Sequence, residues 1–167
     1  MTTTAPATVE AAAWESRLDF DRHAVGFSKA MSALDHAATK ELDRAGIPPR
    51  LRELVRIRAS QLNGCAYCID MHTKDAGAAG ESEQRLYALA AWADTPFFTE
   101  AERAALAFAE AVTLVANDHV PQAAYDALAG HFDHNQVAAL VALVVTINAW
   151  NRIGVATRAW EPGSYQP

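Results

Sequence analysis

The sequence predicts an all-α domain of six to eight helices. Apolar residues recur with helical periodicity, and no strand-like alternation of any length interrupts them. The periodic segments are separated by paired start and stop signals, a polar cap or proline at one end and a glycine at the other. At 167 residues, with 51% hydrophobic and 20% charged side chains, the chain has enough apolar material for one core and no internal repeat to divide it. Residues 1–20 read as a poorly ordered lead-in, and 21–167 as a single helical domain.

The first helix is expected over about Phe27–Ala45, where Gly46 stops it and Pro48-Pro49 opens the next. The second, Arg50 to about Leu62, carries Leu51, Leu54, Val55, Ala59 and Leu62 on one stripe. Asn63-Gly64 ends it, because glycine adopts the left-handed conformation of a helix C-cap without strain. A third helix begins at or near Cys65 and runs to about Ala79, ahead of Gly80. Ser82 caps a short helix through Trp92, and Thr99-Glu100-Ala101-Glu102 is a capping box for one reaching about Ala116. Pro121 opens a helix ending near Gly130-His131, and Asp133 with Gln136 opens a long final one through about Ala159.

A net charge of −6 gives no electrostatic footprint for nucleic acid or an anionic membrane. The basic cluster Arg50, Arg52, Arg56 and Arg58 reads as a solvated face pairing with Glu53, not a phosphate track. The N-terminus lacks the basic start and apolar core of a secretory signal. The longest apolar run, Val137–Val145, is shorter than the roughly 20 residues a bilayer span needs. A cytoplasmic location is expected, where a CxxC pair is more often catalytic or metal-binding than a structural staple.

Both cysteines of the chain fall in Asn63-Gly64-Cys65-Ala66-Tyr67-Cys68-Ile69-Asp70-Met71-His72. Cys65, Cys68 and His72 stand at i, i+3 and i+7, on one helix face. Helical side chains lean toward the N-terminus, so His72 reaches back over Cys68 as a general base would. The helix dipole favours a thiolate at Cys65 in the first turn, whereas the imidazole favours one at Cys68. An exposed dipole contributes under about 1 kcal/mol. An imidazole can take the proton outright, so the histidine argument selects Cys68. If the helices either side of Asn63-Gly64 form a hairpin, Glu53 can orient His72; alone, it reads as a surface partner of Arg50 or Arg56.

The spacing Glu53-x11-Cys65-x2-Cys68-x3-His72 resembles the signature of the alkylhydroperoxidase D-like (AhpD-like) group within the carboxymuconolactone decarboxylase superfamily. LRELVRIRASQLNGCAYCIDMH looks like that group's core hairpin, and FTEAERAALAFAEAVT and INAWNRIGVATR look like further segments of its single-domain members, so the likeness spans roughly residues 20–160. The resemblance implies an AhpD-like helical bundle and a thiol peroxidase without a cofactor. In it, Cys68 would be peroxidatic and Cys65 resolving, with Glu53 and His72 as the proton relay. It further implies a hydroperoxide substrate, a lipoyl-type or thioredoxin-like dithiol reductant, and a homo-oligomer, trimer or hexamer. One departure is visible: a second histidine of the group's pattern is replaced here by Tyr67.

Other readings stay open from the residues alone. A disulfide reductase or redox sensor would use the same dithiol, while a cofactor-free decarboxylase would not need it. Zinc could be held by Cys65, Cys68 and His72, with Glu53 or water completing the set. His119, His131 and His134 cluster at helix ends, and Trp92, Trp150 and Trp160 are expected in the core or a subunit contact. Asn148, Asn151 and Arg152 interrupt an apolar helix and suggest a buried polar network or an oligomer contact.

Overall fold

The computed structural model describes residues 13–167, and the first twelve residues of the expected lead-in lie outside them. Among the described residues there are nine α-helices and no strand: α1 Phe20–His23, α2 Val25–Arg44, α3 Pro49–Asn63, α4 Ala66–Ala78, α5 Glu83–Ala88, α6 Glu100–Thr113, α7 Val115–Asp118, α8 Gln122–Ala129 and α9 His134–Thr157. A 3-10 segment, Leu89–Asp94, follows α5. The all-α expectation holds. The excess over six to eight comes from single-turn pieces. Asp19 caps the isolated turn α1, and a break at Leu114 splits α7 from the end of α6. The helix expected through Trp92 tightens to 3-10 geometry at Leu89 and kinks at Ala91.

The capping boxes form as the spacing predicts. Thr99 and Glu102 exchange bonds at the start of α6, and Asp133 and Gln136 at the start of α9. Gly64 takes φ 69°, ψ 29° as the left-handed C-cap of α3, which turns the chain back so that α4 packs on α3. α3 is the central element. Leu54, Val55, Ile57 and Ala59 are at most 1% exposed, and each large one contributes about 1.5–3 kcal/mol of burial. Around it α2, α6, α8 and α9 supply Leu42, Phe108, Leu128, Leu140 and Leu143 to the main core.

The arginine cluster is not a solvated face. Arg52 bonds Asp43 and the Ile47 carbonyl, Arg56 pairs with Glu53, and Arg58 pairs with Glu110, their side chains only 11–14% exposed. Arg52 and Arg58 tie α3 to its neighbours, Arg56 pairs within α3, and Arg50 alone of the four is exposed. α9 is long and apolar enough to cross a membrane by length and composition, with half of its most apolar window buried against the other helices. Ahead of α1, Arg17 and Leu18 donate their backbone N–H groups to the Thr157 carbonyl.

Candidate active site

The α3–α4 hairpin assembles all four predicted site residues. Cys65, where the helix was expected to begin, is the N-cap of α4, whose first residue is Ala66, and its N–H bonds back to Ser60 O at 3.0 Å. Cys68 therefore occupies the first turn, where backbone N–H groups lack helical acceptors. Dipole and histidine no longer compete: both now favour Cys68. The two cysteines form a disulfide with Cα atoms 5.4 Å apart, and both are buried with Ala59 and Ile147.

His72, one turn beyond Cys68, donates from Nδ1 to Glu53 Oε2 at 2.8 Å. A carboxylate on Nδ1 assigns the ring proton there and leaves the Nε2 lone pair free. The two readings of Glu53 are realised together, because its other oxygen accepts from Arg56 at i+3. Burial pushes the Glu53 carboxyl up, but the His72 hydrogen bond and the Arg56 charge outweigh it and hold the carboxyl below its ordinary range. A buried, ionised carboxylate thus fixes the imidazole from behind.

The disulfide separates two cavities. The larger, about 610 Å³, is lined by Cys68, His72, Arg56, Ile147 and Met71, with Ser28 and Ser32 of α2 on its far side. The smaller, about 240 Å³, is lined by Cys65 and not by Cys68. Tyr67 and Trp160 line both, their ring centroids 5.7 Å apart. Burial, followed by the charges of Asp70, Asp21 and Asp75, raises the Tyr67 phenol above its ordinary value, so it is a hydrogen-bond donor at neutral pH.

Three features are additional to the predicted site. Arg56 clamps Glu53, a partner its i+3 spacing made available. Trp150 and Trp160, expected in the core or a subunit contact, instead wall the larger cavity in an edge-to-face pair. Tyr165, from the tail beyond α9, completes that wall and donates to Asp75 at 2.8 Å. The asparagines of α9 form the buried network: Asn63 donates to Asn148 and Asn151 at 3.0 and 2.9 Å, and Asn151 donates to Ser60 at 3.0 Å. That network anchors the turn before Cys65. His119, His131 and His134 are exposed. Among the described residues, the metal-type donors that cluster are Glu53, His72 and Asp75, within 4.8 Å of one another, and not the cysteine sulfurs, which are bonded to each other.

The family model described as carboxymuconolactone decarboxylase family matches residues 26–111, which contain the whole of this hairpin. The chain belongs to the carboxymuconolactone decarboxylase family. It is an AhpD-like member. The uncharacterized protein YdfG of Bacillus subtilis (strain 168) is 45% identical over 117 residues, 70% of this chain and 80% of that protein. The structure of ATU0492 from Agrobacterium tumefaciens, a protein of unknown function described as a candidate antioxidant defence protein AhpD, superposes with a TM-score of 0.83. It is 34% identical, covering 89% of this chain and 99% of that one. The debrominase Bmp8 shares the fold alone, at 24% identity and a TM-score of 0.69 over 80% of this chain and 70% of that one.

Proposed function

We propose that the protein is a thiol peroxidase that reduces hydroperoxides through a Cys65/Cys68 dithiol–disulfide cycle. The observation that carries this reading is the Glu53–His72 pair behind a cavity that Cys68 and His72 line together. In the reduced protein His72 Nε2 takes the Cys68 proton, with Glu53 as the positioning residue that holds the ring. The thiolate attacks the terminal peroxide oxygen; the O–O bond breaks, an alcohol or water leaves, and Cys68 becomes a sulfenic acid. Cys65 condenses with it, releasing water and forming the disulfide present here. An external dithiol of lipoyl or thioredoxin-like type restores the pair. Ile147, Trp150 and Trp160 offer one apolar side to the organic part of a hydroperoxide, in a cavity otherwise lined by polar residues such as Ser28, Ser32 and Asp75. The setting is cytoplasmic, and the protein works as a homo-oligomer, a trimer or hexamer.

Tyr67 in place of the group's second histidine favours a second reading, a disulfide oxidoreductase or redox sensor with little peroxide turnover. Intact-mass spectrometry of the reduced protein, with chelator present and an equimolar amount of cumene hydroperoxide, separates the two. Peroxidase chemistry removes two hydrogens, mapped to a Cys65–Cys68 bond, and gives no such product in Cys68→Ser. Cys65→Ser traps a sulfenic acid on Cys68. A wild-type protein that stays reduced over minutes overturns the peroxidase reading and leaves the oxidoreductase one.

A further inference from the structure

The two sulfurs of the disulfide face different spaces. Thiol–disulfide exchange proceeds in line: the incoming thiolate approaches one sulfur from the side opposite the bond, and the other sulfur leaves. Attack from the large cavity meets Cys68 and expels Cys65. Attack from the small cavity meets Cys65 and expels Cys68, the sulfur in the first turn of α4 beside His72. A thiolate is the better leaving group where a helix N-terminus stabilises it, so the second route is favoured.

The small cavity is built for that approach. Gly154 of α9 leaves room beside Cys65: a Cβ there would stand 3.1 Å from Cys65 Sγ and crowd the sulfur. Its rim carries Arg17 and Arg158, and among the described residues its lining holds no carboxylate. Among the described residues, neither guanidinium pairs with an acid. Arg17 makes long bonds of 3.4 Å to the carbonyls of Val155 and Ala156, and Arg158 lies over the Trp14 ring. At about 240 Å³ the space admits a slender chain and excludes a folded domain.

We infer that this cavity is the docking site for the reductant, and that it selects a slender thiol carrying a carboxylate. This deepens the proposed function, on whose dithiol cycle it rests. The reductant thiolate attacks Cys65 Sγ, the S–S bond breaks, and its electron pair leaves with Cys68 as a thiolate. A second thiolate of the reductant then attacks the outer sulfur of the mixed disulfide. That step releases Cys65 as a thiolate and the reductant as its disulfide, two electrons having passed to the protein.

The test starts from protein oxidised with diamide, so its outcome does not depend on peroxide chemistry. Protein thiols are counted by alkylation and mass spectrometry during reduction by 3-mercaptopropionate and by 3-mercapto-1-propanol at equal thiolate concentration. The expected result is a carboxylate preference of about five- to tenfold, the scale of two partly exposed ion pairs. It shrinks toward one in the Arg17→Gln/Arg158→Gln protein and at high salt. Quenched samples should carry the mixed disulfide on Cys65 and the alkyl label on Cys68. An adduct on Cys68, no preference in the wild type, or a preference that survives both substitutions would each overturn the inference. A protein that passes this test and yet is not oxidised by hydroperoxide loses the proposed function and keeps the reductant site.

Discussion

The α3–α4 hairpin and the tail after α9 both wall the Cys68 cavity, and they are held in place very differently. The hairpin is anchored by buried interactions. Leu54, Val55 and Ile57 are within the cores, Glu53 is clamped between Arg56 and His72, and asparagines bridge to α9. The tail has no buried residue after Thr157 and is pinned by single bonds at the surface. Gly163 N bonds Asp70, Lys74 bonds the Tyr165 carbonyl, Tyr165 bonds Asp75, and Trp160 bonds Asp21. On the proposed function, the groups that must keep a fixed geometry stand on the buried element, and those that would meet the substrate's organic part stand on the one held more weakly.

Replacing the hairpin's relay should have the largest effect. Glu53→Gln keeps the shape but can no longer hold the proton on Nδ1 as an ionised acceptor does. The rate at which hydroperoxide oxidises Cys68 should fall about 10²-fold, the lower end of a positioned acid–base contribution. The same substitution changes the pH response of stability. The native Glu53 pKa lies below its unfolded value, so the stabilisation it gives is complete above about pH 4.5 and is lost as pH falls through the lower native value. Wild-type melting temperature should therefore drop more steeply between pH 6 and 3 than that of Glu53→Gln. Parallel curves would show that the carboxylate is not held by His72 and Arg56 in solution.

What could be read from the sequence follows the same division. The hairpin was legible because local rules govern it: the glycine C-cap at Gly64, the heptad-like spacing of Cys65, Cys68 and His72, and the apolar stripe of α3. The pairing of Glu53 with His72 spans 19 positions; a hairpin at Asn63-Gly64 made it possible, and the resemblance to the AhpD-like pattern singled it out from the surface pairing with Arg50 or Arg56. The tail carries no periodicity and no cap, and its contacts reach 90 or more positions back to Asp70, Lys74, Asp75 and Asp21. Trp150 and Trp160 looked like core residues because an aromatic on a cavity wall and one in a core have the same composition signal. The arginines of α3 looked solvated because their partners, Asp43 and Glu110, lie on other helices.

The anchoring of the hairpin to α9 gives the next largest effect. Asn151 is fully buried, with Asn63 and Ser60 as its partners. Asn151→Ala removes two buried hydrogen bonds, although Asn63 keeps Asn148 and Ser60 keeps the Arg56 carbonyl, and should cost about 1–3 kcal/mol in urea unfolding. A loss well under that range would mean that water replaces the amide and that the turn before Cys65 is not rigidly held. Trp160→Ala acts on the tail instead. Removing the ring from the wall shared with Tyr67 and Trp150 should raise the KM for cumene hydroperoxide roughly fivefold, the scale of one aromatic contact of about 1 kcal/mol. The KM for hydrogen peroxide, too small to touch the ring, should change less. Equal shifts for both peroxides would place Trp160 outside the substrate's reach.

The smallest effect tests the tail by itself. Tyr165 donates to Asp75, and this bond, with burial adding to it, raises the phenol to about 12. A native pKa above the unfolded one contributes stability that is complete below about pH 10 and disappears as pH rises through 12. A phenolate beside the Asp75 carboxylate repels it, so the bond that closes the tail over the cavity becomes a repulsion. Trp160, on the same tail, reports the release, since its indole is held to Asp21 of α1. Its fluorescence in the wild type should shift between pH 10 and 12, by less than global unfolding produces, and the Tyr165→Phe protein should already show the looser signal at neutral pH. If the two proteins titrate identically, the tail is held by its bonds to Lys74, Asp70 and Asp21 without Tyr165, and the contrast with the hairpin narrows to burial.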